Sequence, residues 1–527
     1  MVGGGSGGAL ASTFVERVRR PVAWLAAAQL GLVTLAALTF RVLDDLPRIL
    51  MDRLRAEIGA PEEIYLFQFL LVGALVFAPI ALQGASFPLV VRTLVSDRSR
   101  AGFDVARVYS ANTAGAIVGS FLAGFAVMPL LGLRGGILVA MSVNLAVAVV
   151  WAVLELRENF TRRAAAVLGA MVGVALLAVI VGPTVDRVAL TRGLFRVHSA
   201  RELYDPQKLA RDTPDLVFYE DGISATTTVE RRGDLVTLKA NGKPEASDGA
   251  DMATQILVAL LPMMMRSLDQ PPGGERVAMI GFGSGVTAGA ALQWPLKSLE
   301  VVEIEPAMIE ASRFFNHVNH RPLEDPRTTV IETDGRNFLE YATERYDVII
   351  SEPSNPWIAG VASLFTVEHF ERARRKLAPG GVFGQWVQLY EISPENVKII
   401  FATFSEVFPH VQVYSSMPKG TDLILIGSDH PIELPPSGFG PAWQNETVRR
   451  ELQRAGVSSA WDLYGLMFMN QPVLEAFADG APLNTDDNGL LEFSAPRDLI
   501  RYDIGDARDL SFLPEASFDA AACILAI

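Results

Sequence analysis

Long runs of apolar residues dominate the first third of the chain. Five stretches before residue 184 carry almost no charge, and each is near or above the roughly 18–20 residues that a helix needs to cross a bilayer. Buried helices of a large soluble core have a similar composition, but five such runs in succession favour membrane-spanning helices. Small residues recur inside the runs, which suits close helix contact in lipid. The runs are 22–40, 64–91, 109–131, 137–156 and 164–181.

The pattern changes in the second half, where apolar runs become short and end in polar clusters. Such runs begin at Val277, Val301 and Tyr346. They are typical of buried parallel strands, because helices cover both faces of a parallel sheet. A doubly wound sheet holds its ligand at the carboxyl ends of its strands. We therefore predict an α/β Rossmann-like domain whose chemistry lies along one edge of the sheet.

These patterns divide the chain into five parts. A polytopic α-helical membrane region comes first, and a small β-domain precedes the α/β domain. The glycine-rich first residues are typical of a linker, and the last part has mixed helical and loop character. The predicted boundaries are 1–20 for the linker, 21–183 for the transmembrane helices, 200–250 for the small β-rich domain, 251–430 for the Rossmann-like catalytic domain that binds a nucleoside or sulfonium, and 431–527 for the C-terminal segment.

Composition narrows the classes of partner. Half of the 527 residues are hydrophobic and the mean hydropathy is +0.28, which is high for a soluble enzyme. The net charge of −14 argues against a nucleic-acid partner, because phosphate backbones bind basic surfaces. The single cysteine, Cys523, allows neither an intrachain disulfide nor a cysteine-based metal site. The six histidines show no ligand spacing, so no metal is predicted.

The first polar cluster is a glycine-rich turn with Gly281, Gly283 and Gly285. Glycine lets a backbone approach a ligand closely because it has no Cβ atom. Glu303 follows the next predicted strand, where a carboxylate can hydrogen-bond the hydroxyls of a ribose. Asp334 follows the third strand and is suited to accept from the exocyclic amine of adenine. A glycine turn alone is weak evidence, but the three features in this order predict a nucleoside site.

The same residues resemble the spermidine synthase (polyamine aminopropyltransferase) family. Segments 84–88 and 109–119 resemble the membrane half of its form fused to N-terminal transmembrane helices. Segment 280–285 resembles its nucleoside loop, and 302–305 resembles its ribose-binding strand end, with Glu303 and Ile304. Asp334-Gly335 resembles its adenine-contacting pair. Segment 351–356 resembles its catalytic loop, and 241–262 resembles its small-domain hairpin and the helix that leads into the sheet.

The resemblance implies a spermidine synthase/methyltransferase-type fold, a nucleoside sulfonium substrate and 5′-methylthioadenosine as the leaving group. It assigns catalytic positions to Glu352 and Asn355, and ligand-binding positions to Gln255, Ser284 and the nucleoside residues above. The family has aspartates where this chain has Ser284, Glu352 and Asn355. Those aspartates hold the amine of decarboxylated S-adenosylmethionine and bind and deprotonate a polyamine.

These departures suggest a different substrate. An amine with a pKa of roughly 10.4 arrives protonated and needs a carboxylate to hold and deprotonate it. Losing two acids weakens that function and removes repulsion against a carboxylate, so intact S-adenosylmethionine is the predicted substrate. Its own carboxylate can attack its γ-carbon and give a homoserine lactone. The alternatives are aminopropyl transfer from decarboxylated S-adenosylmethionine, and a transporter or sensor that binds the nucleoside without turnover.

The remaining expectations concern aromatic side chains, location and assembly. Trp357, Trp386 and Tyr390 are candidates to attract the sulfonium through their ring faces. The predicted partners are the small sulfonium or nucleoside and the lipid bilayer, and a homo-oligomer is left open. The predicted location is a bacterial inner membrane with the catalytic domain towards the cytoplasm, where S-adenosylmethionine is made. That orientation leaves many arginines outside, against the positive-inside tendency.

Overall fold

A computed structural model gives the fold. It describes residues 15–56, 61–95, 99–182, 187–191, 214–267, 273–418, 420–432 and 443–501, together with residues 9, 13 and 193. The predicted linker lies mostly outside the described residues, as do Cys523 and everything after Arg501. By its internal contacts the chain forms two compact units, one up to Leu190 with 221–223, and one from Thr191 onwards without those three residues.

The first unit is helical. Its long helices are α1 Pro21–Ala56, α2 Pro61–Leu94, α3 Ala101–Leu122, α4 Met128–Glu158 and α5 Arg162–Val181, followed by the short α6 Arg187–Leu190. A π-helical turn joins α3 to α4. Helix α1 packs against α2, α4 and α5. Large apolar side chains elsewhere point outwards, and Phe125 and Leu130 are 76% and 79% exposed. Apolar exposure on this scale marks a surface that contacts lipid or a partner.

Within the part of the chain that the structure describes, four helical stretches are long and apolar enough to cross a membrane, namely Pro21–Val42, Leu66–Leu94, Ala101–Glu158 and Arg162–Val181. The sequence predicts five separate runs, and two of these fall within the single stretch Ala101–Glu158. That stretch has 58 residues, roughly 87 Å at 1.5 Å per residue, whereas a hydrocarbon core is about 30 Å thick. Gly132 interrupts it with a non-helical φ of 64°. The two predicted runs thus meet at a backbone break rather than at a loop.

A four-stranded sheet opens the second unit. Its strands are β1 Asp215–Asp221, β2 Thr226–Arg232, β3 Leu235–Ala240 and β4 Lys243–Ser247, in that spatial order. Strand β3 pairs antiparallel with both β2 and β4. Asn241 and Gly242, both with positive φ, make the two-residue turn between β3 and β4. Asn-Gly favours such turns because their twist matches that of the flanking strands.

The larger sheet has eight strands in the order β12-β10-β11-β9-β8-β5-β6-β7. Strands β5 to β9 are parallel, and β9 to β12 pair antiparallel in the order β9-β11-β10-β12. The strands are β5 Arg276–Ile280, β6 Ser298–Glu303, β7 Thr328–Glu332, β8 Tyr346–Ser351, β9 Leu377–Gln388, β10 His410–Ser415, β11 Asp422–Ser428 and β12 Met467–Met469.

Helices cover this sheet on both faces. They are α7 Met252–Arg266, α8 Val286–Ala291, α9 Pro306–Ala311, α10 Gly335–Tyr341, α11 Val367–Lys376, α12 Pro394–Val407, α13 Glu446–Arg454, α14 Ala460–Gly465, α15 Gln471–Ala478 and α16 Leu490–Arg501. One buried cluster includes α7 and α13, and the other includes α11, α12 and α15. The chain leaves β5 first for β6 and later for β8 on the opposite side, and such a switch point opens a crevice at the strand ends.

The predicted fold class is confirmed, and the larger sheet extends beyond the predicted end of the Rossmann-like domain. The sequence ends the Rossmann-like domain near residue 430, but β12 lies beyond that point and pairs with β10. Three residues, Met467–Met469, are too few for a strand pattern to stand out. The large sheet therefore includes part of the segment that was predicted to be helix and loop.

Candidate active site

A cavity of about 970 Å³ lies at the carboxyl ends of the parallel strands. Its walls come from the β3–β4 hairpin, helix α7, the glycine loop after β5, the ends of β6, β7 and β8, and the start of β11. This volume is at the upper end of the range for small-molecule sites. Nine predicted site residues line the cavity, namely Gln255, Gly281, Gly283, Ser284, Glu303, Ile304, Asp334, Gly335 and Glu352.

The glycine loop depends on backbone conformations and contacts that other residues fit poorly. Gly281 has a φ of 91°, and a Cβ atom there would lie 2.4 Å from the carbonyl oxygen of Glu352. Gly283 has a φ of 52° with open space around it. Gly285 is not among the cavity-lining residues, and it instead provides the left-handed cap that starts α8. The loop therefore packs directly on the segment after β8.

Glu303 is held in a fixed orientation at the end of β6. Its Oε2 accepts the backbone N–H of Phe282 at 3.0 Å, and its Oε1 accepts that of Glu305 at 2.9 Å. Burial raises the pKa of Glu303, while these backbone hydrogen bonds and that from Ile304 oppose the rise. The carboxylate is thus aligned beside the glycine loop, where it has remaining lone pairs for ribose hydroxyls.

Asp334 and Gly335 mark the start of α10 at the cavity wall. The Asp334 carboxylate accepts the backbone N–H of Asn337 at 2.9 Å, as a helix N-cap does. A Cβ atom on Gly335 would lie 2.6 Å from Cγ2 of Ile280. The glycine therefore lets α10 begin close against β5, and this brings Asp334 to the same cavity as the glycine loop.

Ser284 provides a neutral hydroxyl that already makes two hydrogen bonds. Its Oγ donates to Oε1 of Gln255 at 2.5 Å and accepts the backbone N–H of Val286 at 3.2 Å. The amide nitrogen of Gln255 in turn donates to Asp251 at 3.1 Å. A hydrogen-bonded chain therefore runs from the glycine loop to a carboxylate on the other side of the cavity.

Glu352 is the acid of the segment that follows β8. Its backbone N–H donates to the carbonyl of Ile280 at 2.9 Å, which anchors the segment to β5. Burial raises the pKa of Glu352 to about 8, with nearby Asp251 and Asp422 adding to the rise and a hydrogen bond from Thr287 opposing it. The side chain lies deep in the protein but keeps some access to the cavity. A bound cation would therefore strongly favour its ionised form.

Asn355 does not reach the cavity. Its side chain is fully buried, and neither its Oδ1 nor its Nδ2 has a hydrogen-bond partner among the described residues. It is not among the residues that line the cavity. The structure thus separates the two residues that were paired by their position in the catalytic loop.

Four further acids, Glu245, Asp251, Glu305 and Asp422, line the cavity without having been predicted as site residues. Asp422 accepts the indole N–H of Trp386 at 3.1 Å, and burial raises its pKa to about 6. Burial also raises the pKa of Asp251. Strand β11 is antiparallel to β9, so its first residue lies at the edge where the parallel strands end. The sequence signal for Asp422 is a lone acid before an apolar run, which gives no strand direction.

The cavity also contains a lysine that was not predicted. Lys243 Nζ donates to Oε2 of Glu245 at 2.7 Å and to Oγ of Ser354 at 2.9 Å. Its charge lies 6.0 Å from the ring centre of Trp357. The only sequence feature that indicates where Lys243 lies is the Asn-Gly turn, because this turn fixes where β4 begins.

The three predicted aromatic residues, Trp357, Trp386 and Tyr390, all line the cavity. The acidic segment 484–488 lies outside its wall, yet it holds the chain that follows the catalytic loop. Asn484 Nδ2 donates to the carbonyls of Ala362 at 3.3 Å and Phe365 at 3.0 Å. This segment is therefore a support for the loop rather than a ligand contact.

Comparison with known proteins finds relatives of the region that provides most of the cavity lining. Residues 254–421 match the sequence family described as the spermine/spermidine synthase domain. Polyamine aminopropyltransferase 1 of Streptomyces coelicolor is 28% identical over 305 residues, which are 57% of this chain and 54% of that protein. Putrescine N-methyltransferase 2 of Nicotiana tabacum is 32% identical over 139 residues, 26% of this chain and 39% of that protein.

The chain spans about half the length of the first of these relatives. A crystal structure of a probable spermidine synthase from Corynebacterium glutamicum aligns with 51% of this chain and 96% of its own, with 24% identity and a TM-score of 0.38. The family match covers strands β5 to β10 of the larger sheet and includes the glycine loop, Glu303, Asp334 and Glu352. Residues 254–421 are therefore similar to the spermine/spermidine synthase domain.

Proposed function

We propose that this domain binds a sulfonium of the S-adenosylmethionine type and breaks the bond to its longer alkyl arm, releasing 5′-methylthioadenosine. The observation that carries this proposal is that Glu303, Asp334 and Glu352 line one cavity. The first two are suited to a ribose and an adenine, and the third supplies a carboxylate deep in the site. The family match supports a substrate derived from S-adenosylmethionine.

We further propose that intact S-adenosylmethionine is the substrate. Ser284 supports this choice, because a neutral hydroxyl occupies the position where the family has a carboxylate. Two like charges about 4 Å apart repel by roughly 4 kcal/mol at an effective dielectric near 20, so an acid there would disfavour a substrate carboxylate. Ser284 removes that repulsion while its hydroxyl remains tied to Gln255.

The proposed reaction needs no second substrate. One carboxylate oxygen of S-adenosylmethionine attacks the γ-carbon of the same molecule, and the bond between that carbon and sulfur breaks. The bonding electron pair stays on sulfur, which leaves as the neutral thioether of methylthioadenosine, and the arm becomes homoserine lactone. No proton moves in this step, so the protein has to hold a near-attack conformer rather than supply a base. Glu352 would stabilise the cationic amino group or sulfonium.

Aminopropyl transfer is the second candidate, and the acids around Glu352 favour it. Asp251 and Asp422 face the same cavity, which thus has more carboxylates than the loop sequences indicate. A carboxyl with a pKa of about 8 suits a general base near neutral pH. In this reaction an amine attacks the same carbon of decarboxylated S-adenosylmethionine, Glu352 accepts the amine proton, and methylthioadenosine leaves.

Product analysis separates these reactions. The full chain in detergent is incubated with S-adenosylmethionine or its decarboxylated form, each with and without putrescine, and products are identified by mass spectrometry. We expect methylthioadenosine and homoserine lactone from S-adenosylmethionine alone, and strongly reduced yield with Glu352→Gln. Spermidine formation without turnover of S-adenosylmethionine alone would establish the second candidate. N-methylputrescine would establish a methyltransferase, and binding without any product would establish a sensor or transporter.

The proposed location is a membrane, with this domain on the side where its substrate is made. Four helical stretches of sufficient length and apolarity support membrane residence. The cytoplasmic orientation rests on the site of S-adenosylmethionine synthesis alone. Labelling of single cysteines placed in the described loops, with membrane-impermeant reagents on intact cells, tests that orientation.

A further inference from the structure

Among the described residues that line the cavity, Lys243 alone carries a cationic side chain, beside several acids. Its side chain is only 4% exposed and that of Glu245 only 12%. Taking an ammonium group out of water is costly unless acceptors satisfy it. Two acceptors do so, because Oε2 of Glu245 and Oγ of Ser354 lie within 2.9 Å of Nζ.

An ammonium group has three N–H donors, and these two contacts use two of them. The hydroxyl of Ser354 donates a hydrogen bond to Glu245 at 2.9 Å, so Lys243, Glu245 and Ser354 form a closed triangle. The triangle leaves one donor of Lys243 for a ligand in the cavity. Because Ser354 lies two residues after Glu352, that donor is held at the catalytic segment.

Three acids of the cavity lie near one another. Asp251 and Asp422 raise the pKa of Glu352 through their negative charge, so these three acids lie close enough to act on one another. Lys243 opposes the rise in the pKa of Asp422. The reactive part of the cavity thus combines a group of acids suited to cations with one fixed cation at its border.

We infer that Lys243 determines which charge the cavity accepts on the substrate arm: it pairs with the carboxylate of an amino-acid arm and disfavours a second ammonium group. This inference rests on the proposed function. It concerns the charge of the substrate arm, which the residues assigned to the ribose and adenine do not recognise. S-adenosylmethionine matches the pattern with two cations for the acids and one carboxylate for Lys243. Decarboxylated S-adenosylmethionine with a polyamine brings only cations and leaves Lys243 without a ligand partner.

Binding of unreactive ligands tests the inference. S-adenosylhomocysteine has the amino-acid arm with its carboxylate, whereas methylthioadenosine lacks the arm, and calorimetry gives Kd for each. Lys243→Met keeps the aliphatic stem and removes the charge. We expect it to weaken S-adenosylhomocysteine binding about tenfold to a hundredfold, as loss of a charge-assisted hydrogen bond does, and methylthioadenosine binding less than about twofold. Lys243→Arg should restore much of the affinity.

Lys239→Met is the matched control. Lys239 is also a largely buried lysine of the same sheet, paired with Glu230 at 2.6 Å, but it does not line the cavity. We expect it to leave the ratio of the two Kd values unchanged. Equal weakening of both ligands by Lys243→Met, or no weakening of S-adenosylhomocysteine, would overturn the inference.

The same measurements distinguish failure of the proposed function from failure of the inference about Lys243. If the unmodified protein does not bind methylthioadenosine, the nucleoside site itself is wrong. If methylthioadenosine binds and is formed as a product, but the ratio of affinities does not depend on Lys243, only the inference about Lys243 fails. Turnover of decarboxylated S-adenosylmethionine with putrescine gives a further readout, because Lys243→Met should increase it relative to turnover of S-adenosylmethionine.

Discussion

At the scale of single residues, the chemistry of the cavity depends on acids whose surroundings differ. Glu303 is orientated by two backbone N–H groups, and Asp334 caps a helix. Glu352 has its pKa raised by burial and by neighbouring acids. Fixed carboxylates suit recognition of neutral hydroxyls and amines, whereas a carboxyl with a raised pKa responds to the arrival of a cation.

Glu303→Ala should weaken methylthioadenosine binding by about 1–3 kcal/mol, because it removes hydrogen bonds to a buried ribose. Isothermal titration calorimetry measures the change. Glu332→Ala is the control, since Glu332 is the register partner of Glu303 on β7 but is exposed and does not line the cavity. Unchanged affinity in Glu303→Ala would remove Glu303 from the ribose site.

Binding of S-adenosylmethionine should release protons below about pH 8. The ligand-free Glu352 carboxyl, with its pKa near 8, holds its proton at neutral pH, and a bound sulfonium favours the ionised form. Affinity should therefore rise with pH and level off above about pH 8. Calorimetry in buffers with different ionisation enthalpies measures the released protons.

Neutral methylthioadenosine provides the control ligand and should release none, and Glu352→Gln should abolish most of the release with S-adenosylmethionine. The same raised pKa makes the stability of the ligand-free protein fall as the pH rises, whereas ligand affinity increases with pH. Its contribution to stability is present below the usual pKa of 4.5 and is lost as the pH rises through about 8, because the unfolded state ionises first. Proton release that is equal for both ligands would contradict the role given to Glu352.

At the scale of elements, the site is assembled where loops touch. The glycine loop after β5 packs on the segment after β8 through Gly281, and the segment 484–488 holds the chain beyond it. Asp486 forms an ion pair with Arg336 and accepts a hydrogen bond from the hydroxyl of Thr366 at 2.9 Å. Arg336 lies on α10, two residues after Asp334, so this contact connects the segment 484–488 to the helix that Asp334 caps.

Gly281→Ala should destabilise the domain by more than Gly283→Ala. Both have positive φ, where a side chain costs roughly 1–2 kcal/mol, but only Gly281 would also bring Cβ against a backbone carbonyl. Denaturant melts of the two variants, followed by the fluorescence of the buried tryptophans, give the comparison. Equal losses would show that the backbone contact to Glu352 does not constrain the loop.

Asp486→Ala should lower turnover several-fold with a smaller change in methylthioadenosine affinity, because it loosens the segment after the catalytic loop without touching the nucleoside. Asp487→Ala, an exposed neighbour, is the control. Steady-state kinetics of product formation provide kcat and KM separately. An effect confined to KM would point to direct contact with the substrate instead of support of the loop.

At the scale of the whole molecule, the described chain combines apolar helices with an α/β unit that carries the candidate active site. We expect the full-length protein to sediment with membranes, to remain there after an alkaline wash and to be released by detergent. Peripheral membrane proteins in the same sample, which the wash removes, are the control. A folded, monodisperse chain in the detergent-free supernatant would contradict the membrane proposal.

The glycine loop, Glu303 and Asp334 could be predicted because each follows a strand whose apolar run is visible in the sequence. Parallel strands place their ends together, so their local order implies proximity. Lys243 and Asp422 could not be found in this way, since a hairpin and an antiparallel strand bring them to the edge. Asn355 lies three residues after Glu352 in the sequence, yet it is not among the residues that line the cavity.

The β3–β4 hairpin forms part of the cavity wall, and this affects the choice of boundaries when a soluble fragment of the protein is expressed. The family match runs from 254 to 421, yet the cavity extends to Ser224 on one side and Asp422 on the other. A fragment cut to the match would lose Lys243, Glu245 and Asp251 and would omit β11, exposing the edge of β9. Unpaired edge strands promote aggregation. If a shortened protein precipitates, or binds nucleoside without turnover, the cause would therefore be the truncation and not a property of the full-length chain.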